Sequence, residues 1–491
     1  MHFNIKNIIK ENNFTSHKNG QNIYLILYNS IKKAIVRGIL DEPMKLPPSR
    51  VLAKDLGISR STVMKAYDLL ILEKHLKSVT GSGYYVIRNQ AQHPLPIPYA
   101  IKGGYPKLSK RGKSFKEGIQ LKTKKLQNGI AFRPGLPPLD IFPVRQWQKL
   151  SNEYWRTIRY SELSYSSPTG IQSLKENILN YLKIYRNIHC DVNQIIITTG
   201  SLHSLYLVSN ALLNAKDEVV IENPTYPYAY RLFKSLKASI HSVNVDDEGI
   251  CIDNALCQKP KLVYTTPSNQ HPTGIKMSLK RRNGLLKWAS KKNSFIVEDD
   301  YDHEFSNWEN PIPPIYSLDD QERVIYLGSF NKILHPSIRL GYMIIPYRLI
   351  DVITVMFEYS NRFVPPSLQK TLSAFIEKDY LNKHLRNTMK ISAERKNVFH
   401  KNFSTSFSNE ILLNSNNMGL NVIGHLKKGI DDQKLAEFFN NIGVTTYPLS
   451  NYFNEGVKKN GLVMGYCSVN NKRIKDTIYK MAKEYQHFLN L

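Results

Sequence analysis

The chain has 491 residues, with 67 Lys and Arg against 40 Asp and Glu and a formal net charge of +27 at pH 7. That length exceeds one ordinary core and suits a small domain joined to a large one, while the charge favours nucleic acid or another polyanion as partner. Cys190, Cys251, Cys257 and Cys467 are scattered without a C-x-x-C pair or nearby histidines, which argues against a disulfide framework or a metal site; no stretch has the apolar length of a signal peptide or membrane span, so a soluble cytoplasmic protein is expected.

The excess charge is front-loaded. Residues 1–129 carry 23 Lys and Arg against 7 Asp and Glu, so 16 of the 27 excess charges fall in about a quarter of the chain. Within that quarter, Ile23, Leu27, Ile31 and Ile35 recur at helical spacing between Asn22 and Leu40, with Lys32, Lys33 and Arg37 elsewhere on the cylinder. Pro47 and Pro48 then stop the chain. Ser49 is expected to cap a short second helix carrying Leu52, Ala53 and Leu56 and ending at Gly57. Ser59 is expected to cap a third, with Val63, Ala66, Tyr67 and Leu70 inward and Arg60, Ser61, Thr62 and Lys65 outward. Lys77 to Ile87 reads as two short strands around Gly81-Ser82-Gly83, a hairpin by its turn chemistry.

Two helices about a glycine turn followed by a hairpin suit DNA binding, in which the second helix enters the major groove and flanking basic groups hold phosphates. Arg50, Arg60 and Lys65 are the candidate phosphate or guanine contacts. Ser59, Ser61 and Thr62 stand at the start of the recognition helix, and Gly81, Ser82 and Gly83 form the wing. The helices alone would also suit any three-helix domain; the hairpin narrows the choice. The run LPPSRVLAKDLGISRSTVMKAYDLL with its following GSG closely resembles, over residues 22–87, the winged helix-turn-helix of GntR-type bacterial regulators.

The DNA-binding domain is therefore placed at 20–88 and a basic linker at 89–128, where HPLPIP, GGYPKLSKRGKSFK and KTKK lack sustained periodicity. The lysines there could also form a phosphate-binding arm. A large domain is expected over 129–491. QIIITT, DEVVIE, KLVYTTP, FIVEDD, VIYLGSF and LGYMIIP alternate with helical segments, which predicts an α/β fold with a mostly parallel sheet covered on both faces. From about 365 to 491, helices with the strand candidates LNVIGHL and LVMGYCSV predict a smaller α+β lobe.

Three features of the large domain carry chemistry. Asp299 ends the strand FIVEDD, Lys332 follows the strand ending in Ser329 with Arg339 seven residues on, and Gly200-Ser201-Leu202 opens a helix after a strand, where backbone N–H groups favour a phosphate. Each alone is ordinary; their order is not. With ENPTYP, TPSNQHPTG, EDDYDHEF and GSFNKILHPSIRLGY, the chain from about 130 to its end resembles the fold-type I, class I/II aminotransferases, and in particular the MocR/GabR-type subgroup of GntR regulators.

That resemblance implies pyridoxal 5′-phosphate as cofactor, with Lys332 forming the internal aldimine, Asp299 pairing with the ring nitrogen and Tyr301 holding the phenolic oxygen. Tyr226 would stack on the ring, with Asn269 and His271 beside it; Gly200, Ser201, Leu202, Ser329 and Arg339 would hold the phosphate, with Tyr165 from a second subunit of a homodimer. Two departures stand out. His271 precedes Pro272-Thr273-Gly274 where aminotransferases place Asn, and Leu462 and Val463 occupy the neighbourhood of the carboxylate-clamping arginine. Lys458 and Lys459 could replace that arginine or could be solvated loop residues. The expected function is a transcriptional regulator that binds operator DNA and senses pyridoxal phosphate or an amine or amino-acid effector. The alternatives are a working aminotransferase with an accessory DNA-binding domain, and a dimerisation scaffold.

Overall fold

The computed structural model describes residue 9 and residues 22–87, 107–117, 131–253, 259–306, 311–407, 410–414 and 419–490. The chain divides into two compact units, Met1–Lys107 and Leu108–Leu491.

In the first unit the described elements are α1 (Ile23–Val36), β1 (Lys45–Leu46), α2 (Ser49–Leu56), α3 (Arg60–Leu72), β2 (Leu76–Val79) and β3 (Gly83–Val86). The apolar stripes meet as expected: Leu27 and Ile31 pack with Leu52, Val63, Ala66, Tyr67 and Leu70. Tyr67 brings a hydroxyl into this core and satisfies it on the Pro47 carbonyl at 2.9 Å. Gly57 ends α2 in the left-handed region (φ 68°) that favours glycine, and Ser59 caps α3 by accepting from the Thr62 N–H at 3.1 Å. The expected Ser49 cap is corrected. Pro48 holds the cap position of α2, while Ser49 lies buried inside the first turn and its hydroxyl accepts from Arg60 Nε at 3.4 Å, tying α2 to α3. The hairpin β2–β3 gains a third strand, in the order β1-β3-β2, that two residues before a Pro-Pro pair do not announce.

Most of the expected linker lies outside the described residues. Residues 110–117 within it form helix α4 (Lys110–Glu117), whose Phe115 packs on the core of the second unit, so a tertiary contact supplies what local periodicity lacks.

The second unit is built on an eight-stranded sheet ordered β4-β11-β10-β9-β8-β5-β6-β7. Its strands are β4 (Ile195–Thr198), β5 (Glu218–Asn223), β6 (Ser239–Asp246), β7 (Gly249–Ile250), β8 (Pro260–Thr265), β9 (Phe295–Asp299), β10 (Val324–Ser329) and β11 (Gly341–Ile344). β10, β9, β8, β5 and β6 run parallel, whereas β11 is antiparallel to both β10 and β4. Runs of Ile, Val and Leu fill both faces, one against a large cluster around Ile196, Ile221 and Leu327, the other against Val220, Val263, Trp288 and Ile296. β6 escaped the sequence reading because its polar residues and half-exposed position near the sheet edge break the apolar run.

Intervening helices are α5 (Val144–Thr157), α6 (Gln172–Arg186), α7 (Ser201–Leu212), α8 (Pro227–Ser235), α9 (Leu279–Lys292), α10 (Ile315–Leu318), α11 (Ile350–Asn361) and α12 (Pro366–Glu377). The 28-residue α13 (Tyr380–Phe407) crosses from this lobe to the next: Leu381 and Leu385 belong to the large core, Phe399, Phe403 and Phe407 to the small one. The small lobe adds β12 (Ile411–Leu413), β13 (Asn421–Leu426), α14 (Asp432–Asn441), β14 (Tyr447–Pro448), β15 (Gly461–Gly465) and α15 (Asn471–Leu489), its strands antiparallel in the order β12-β13-β15-β14. Ala131 and Phe132 also join this lobe, accepting hydrogen bonds from Thr445 N (3.0 Å) and Gly465 N (2.8 Å). No described helix is long and apolar enough to cross a membrane.

Candidate functional site

In the first unit, α3 presents Arg60, Ser61, Met64 and Lys65 outward, and Arg50 of α2 is exposed as well. The start of α3 is fastened by its own hydroxyls: Ser59 Oγ lies 2.8 Å from both Ser61 Oγ and Thr62 Oγ1. Lys65 Nζ stands 5.8 Å from the Tyr24 ring, which steadies a long cation. At the hairpin tip, Gly81 (φ 76°) and Gly83 (φ 121°) adopt backbone open to glycine, and Ser82 Oγ meets Tyr85 OH at 2.6 Å. A rigid helix with exposed cations at its N-terminal end can enter a major groove.

In the second unit the parallel register sets Asp299 opposite Leu327, so the carboxyl ends of β9 and β10 deliver Asp299 and the Ser329–Lys332 turn to the same edge of the sheet. Lys332 Nζ donates to the Gly135 carbonyl at 2.8 Å and stands 5.8 Å from the Tyr301 ring. Gly135 comes from the segment that begins in the small lobe, and a Cβ there would lie 2.6 Å from Lys332 Nζ, so only glycine leaves the amine its place. Burial lowers the Lys332 pKa, against the pull of Asp302 and Asp299, which leaves more free base at neutral pH.

Asp299 is 4% exposed and accepts from Tyr264 OH at 2.8 Å through Oδ2, while Oδ1 has no hydrogen-bond partner. Burial pushes its pKa up to about 7, although hydrogen bonding from Tyr264 and Ser201 and the charge of Lys332 pull the other way. Its neighbour Asp300 behaves oppositely: burial would raise it, but Arg186 at 2.7 Å helps hold it down at about 2. Adjacent carboxylates thus differ because one has a guanidinium and the other does not.

Gly200 (φ 118°) precedes α7, and its carbonyl takes the N–H of His203 and Ser204, which leaves the first N–H groups of that helix aimed off its end. A Cβ on Gly200 would sit 3.1 Å from Asn331 Nδ2 and 3.7 Å from Arg339 Nη1, so Gly200, Asn331 and Arg339 converge on one spot next to Ser201 and Leu202. Gly341 secures that meeting, since a Cβ there would lie 2.7 Å from Gly200 Cα. Ser329 Oγ accepts from the Asn331 N–H at 3.2 Å.

His271 meets Tyr226, Tyr301 and Tyr452, with ring centroids 5.2, 5.7 and 5.4 Å away. Burial lowers its pKa to about 3 and Lys332 adds to the fall, so the imidazole is neutral; its Nδ1 has no partner. Tyr301 OH donates to the Asn269 carbonyl at 3.2 Å. The Asn269 side chain is already engaged, with Nδ2 donating to Asp302 Oδ1 at 3.0 Å and Oδ1 accepting from Ser306 at 3.2 Å. Tyr165 is 77% exposed and meets Arg362 (4.9 Å) and Phe363 (6.3 Å).

Leu462 and Val463 are fully buried, and Val463 packs with Ile423, Leu449, Tyr452 and Phe453. Lys458 and Lys459 are exposed. Residues that the sequence reading passed over complete the site: Gly135, Asp302, Asn331, Asn421 and Tyr452. Asp302 was within reach, three residues past Asp299 in EDDYDHEF; Gly135 and Asn421 lie too far from Lys332 in sequence for any spacing to flag them. Unpartnered buried atoms collect here, namely Asp299 Oδ1, Asp302 Oδ2, His271 Nδ1, Asn331 Oδ1 and Asn421 Oδ1. Such atoms are costly unless a ligand answers them.

Comparison with known proteins finds a match for each of the two units. Residues 23–86 match the family described as "Bacterial regulatory proteins, gntR family", and residues 138–436 match "Aminotransferase class I and II". The chain is 30% identical over 459 residues to the "Probable rhizopine catabolism regulatory protein MocR" of Rhizobium meliloti, covering 94% of this chain and 93% of that one. It is 26% identical over 442 residues to the "HTH-type pyridoxine biosynthesis transcriptional regulator PdxR" of Corynebacterium glutamicum, covering 90% and 91%. Among solved structures it is similar to an archaeal alanine:glyoxylate aminotransferase, with a TM-score of 0.68 and 26% identity over 78% of this chain and 96% of that one.

Proposed function

The chain belongs to the MocR-type group of GntR-family transcriptional regulators, DNA-binding proteins with an aminotransferase class I and II domain, and we propose that cofactor and effector chemistry at Lys332 sets its affinity for DNA. The cofactor is pyridoxal 5′-phosphate. The observation that carries this reading is the gathering of unanswered polar atoms around the Lys332 amine.

The residues fit the group. Asp299 Oδ1, which has no partner, would accept from the ring nitrogen, Tyr301 and neutral His271 would stand toward the phenolic oxygen, and Tyr226 would stack on the ring. The first N–H groups of α7, with Ser201, Ser329, Asn331 and Arg339, would hold the phosphate, joined by the partner subunit's Tyr165 in a homodimer. When bound, pyridoxal phosphate supplies an aldehyde that condenses reversibly with primary amines and a ring that accepts electrons. The protein's part is to shift Lys332 Nζ toward its free base, orient it through Gly135, and present the Asp299 carboxyl in a site of low polarity.

A regulator further needs two states that the ligand binds unequally; DNA then changes ligand affinity by the same factor. Two subunits would read two half-sites with paired α3 helices in the cytoplasm. Asn269 drops out of direct cofactor contact in this reading, because its amide is committed to Asp302 and Ser306.

The test is binding of the purified protein to its own upstream DNA at fixed salt, with and without pyridoxal phosphate, for wild type and Lys332→Ala. A sequence-specific complex whose affinity depends on both cofactor and Lys332 is expected. Specific binding indifferent to both would leave the large domain as a scaffold, and no specific binding under any condition would favour a working aminotransferase.

A further inference from the structure

The site near Lys332 is unusual in its charges. A ligand carboxylate entering it would need a cation, and the position where aminotransferases carry one is closed by Val463, fully buried among Ile423, Leu449, Tyr452 and Phe453. Lys458 and Lys459 are exposed and cannot supply a desolvated guanidinium fork. Arg339 is taken up with the Gly200 corner.

Arg231, 5.6 Å from the Tyr228 ring with Nη1 buried and unpartnered, is the remaining cation on the Tyr226 side, whereas beside the Lys332 amine itself the site offers acceptors. Asn421 opens β13 of the small lobe, is 5% exposed, and its Oδ1 has no hydrogen-bond partner. That oxygen lies 4.0 Å from the point where a Cβ would sit on Gly135, a point only 2.6 Å from Lys332 Nζ, so the amide and the amine face one space. Asp302 is 1% exposed, with Oδ1 held by Asn269 and Oδ2 without a partner; its charge acts on Lys332 ahead of that of Asp299. The Leu420 amide lies near enough to lower the Asp302 pKa, yet burial still raises it to about 7. A buried, half-answered carboxylate is relieved by a donor or a cation and made worse by another anion.

On the reading that Lys332 exchanges its partner with an amine effector, we infer that the effector is a primary amine bearing a second ammonium or hydroxyl group and no carboxylate, recognised at that second group by Asn421 and Asp302. Asn421 belongs to the small lobe and Lys332 to the large one, so such a ligand would bridge the two lobes.

The experiment titrates full-length, cofactor-loaded protein with 1,4-diaminobutane, 4-aminobutan-1-ol, butylamine, 4-aminobutanoate and alanine, following the absorbance of the bound cofactor and, separately, the affinity for upstream DNA. The diamine or the amino alcohol should bind about tenfold or more tightly than butylamine and both carboxylates, in keeping with one or two hydrogen bonds to a buried polar group. Asn421→Leu and Asp302→Asn should each abolish that preference. Asn421→Asp should favour the diamine over the amino alcohol, which separates the ammonium from the hydroxyl. Melting curves and the cofactor spectrum of each variant establish that it is folded and loaded. Tighter binding of 4-aminobutanoate, especially if lost in Arg231→Gln, would overturn the inference while leaving an amine effector intact. So would an unchanged preference in both small-lobe-facing variants. If no amine, butylamine included, disturbs the bound cofactor, the underlying amine-effector reading fails along with it.

Discussion

The two candidate sites are built on opposite principles. On α3 the useful groups are exposed, and the hydroxyls around Ser59 already satisfy one another, so the helix is finished before any DNA arrives. Around Lys332 the useful groups are buried and several are unanswered, so this part of the fold is finished only by a ligand. A surface that reads a long polyanion gains from many separate contacts of modest strength, whereas a pocket for one small molecule gains from withholding water. A ligand can therefore alter the second site far more than DNA can alter the first.

The sharpest way to break that contrast is Asp299→Asn. Removing the charge that should face the ring nitrogen is expected to raise the dissociation constant for pyridoxal phosphate by about a hundredfold, since a buried charge pair is lost. Equilibrium dialysis of the variant measures it, and an unchanged constant would show that Asp299 is merely structural.

On the other side of the comparison, Arg60→Ala should weaken binding to upstream DNA by about tenfold and reduce the slope of its salt dependence by about one, with cofactor loading unchanged. Fluorescence anisotropy across a salt series reads both. If cofactor loading without DNA falls as well, Arg60 serves the fold rather than DNA contact.

Protonation offers a third handle. Burial raises the pKa of Asp302 to about 7, so the folded protein holds a proton there that the unfolded chain has released by about pH 4. The stability belonging to this group is therefore complete below about pH 4 and is lost as pH rises through about 7. In cofactor-free protein, Asp302→Asn, which has no charge to bury, should gain on wild type in melting temperature between those limits. A difference that stays flat with pH would mean the Asp302 carboxylate is already answered.

The smallest effect belongs to the finished site. Ser59→Ala removes the cap of α3 and should cost about 1 kcal/mol, visible as faster amide exchange in the first turn of that helix. Because Ser61 and Thr62 share the Ser59 hydroxyl, a cost well above that figure would show that the cluster acts as a unit.

Legibility in the sequence followed the same division. The elements described between residues 22 and 87 could be read closely from the sequence, because the helices there are short, their caps are local and the apolar stripe repeats every three or four positions. The exceptions are instructive: Ser49 looked like a cap but serves Arg60, and β1 is too short to show a pattern. In the second unit the strands facing the core were legible from their apolar runs, and Asp299 and Lys332 from their places after two of them. β6 was not, because its half-exposed position leaves its polar residues in place.

By itself the sequence determined the two-domain plan, the α/β fold and the lysine and aspartate at the strand ends, since periodicity and strand-end position are properties of neighbouring residues. Only the tertiary structure decided which carboxylate meets a guanidinium and which does not, because Arg186 reaches Asp300 and leaves Asp299 to the hydroxyls of Tyr264 and Ser201. It also brought Gly135 and Asn421 to Lys332 from segments far away in the chain. Electrostatics and hydrogen bonding depend on distance in space, and no spacing along the chain encodes it.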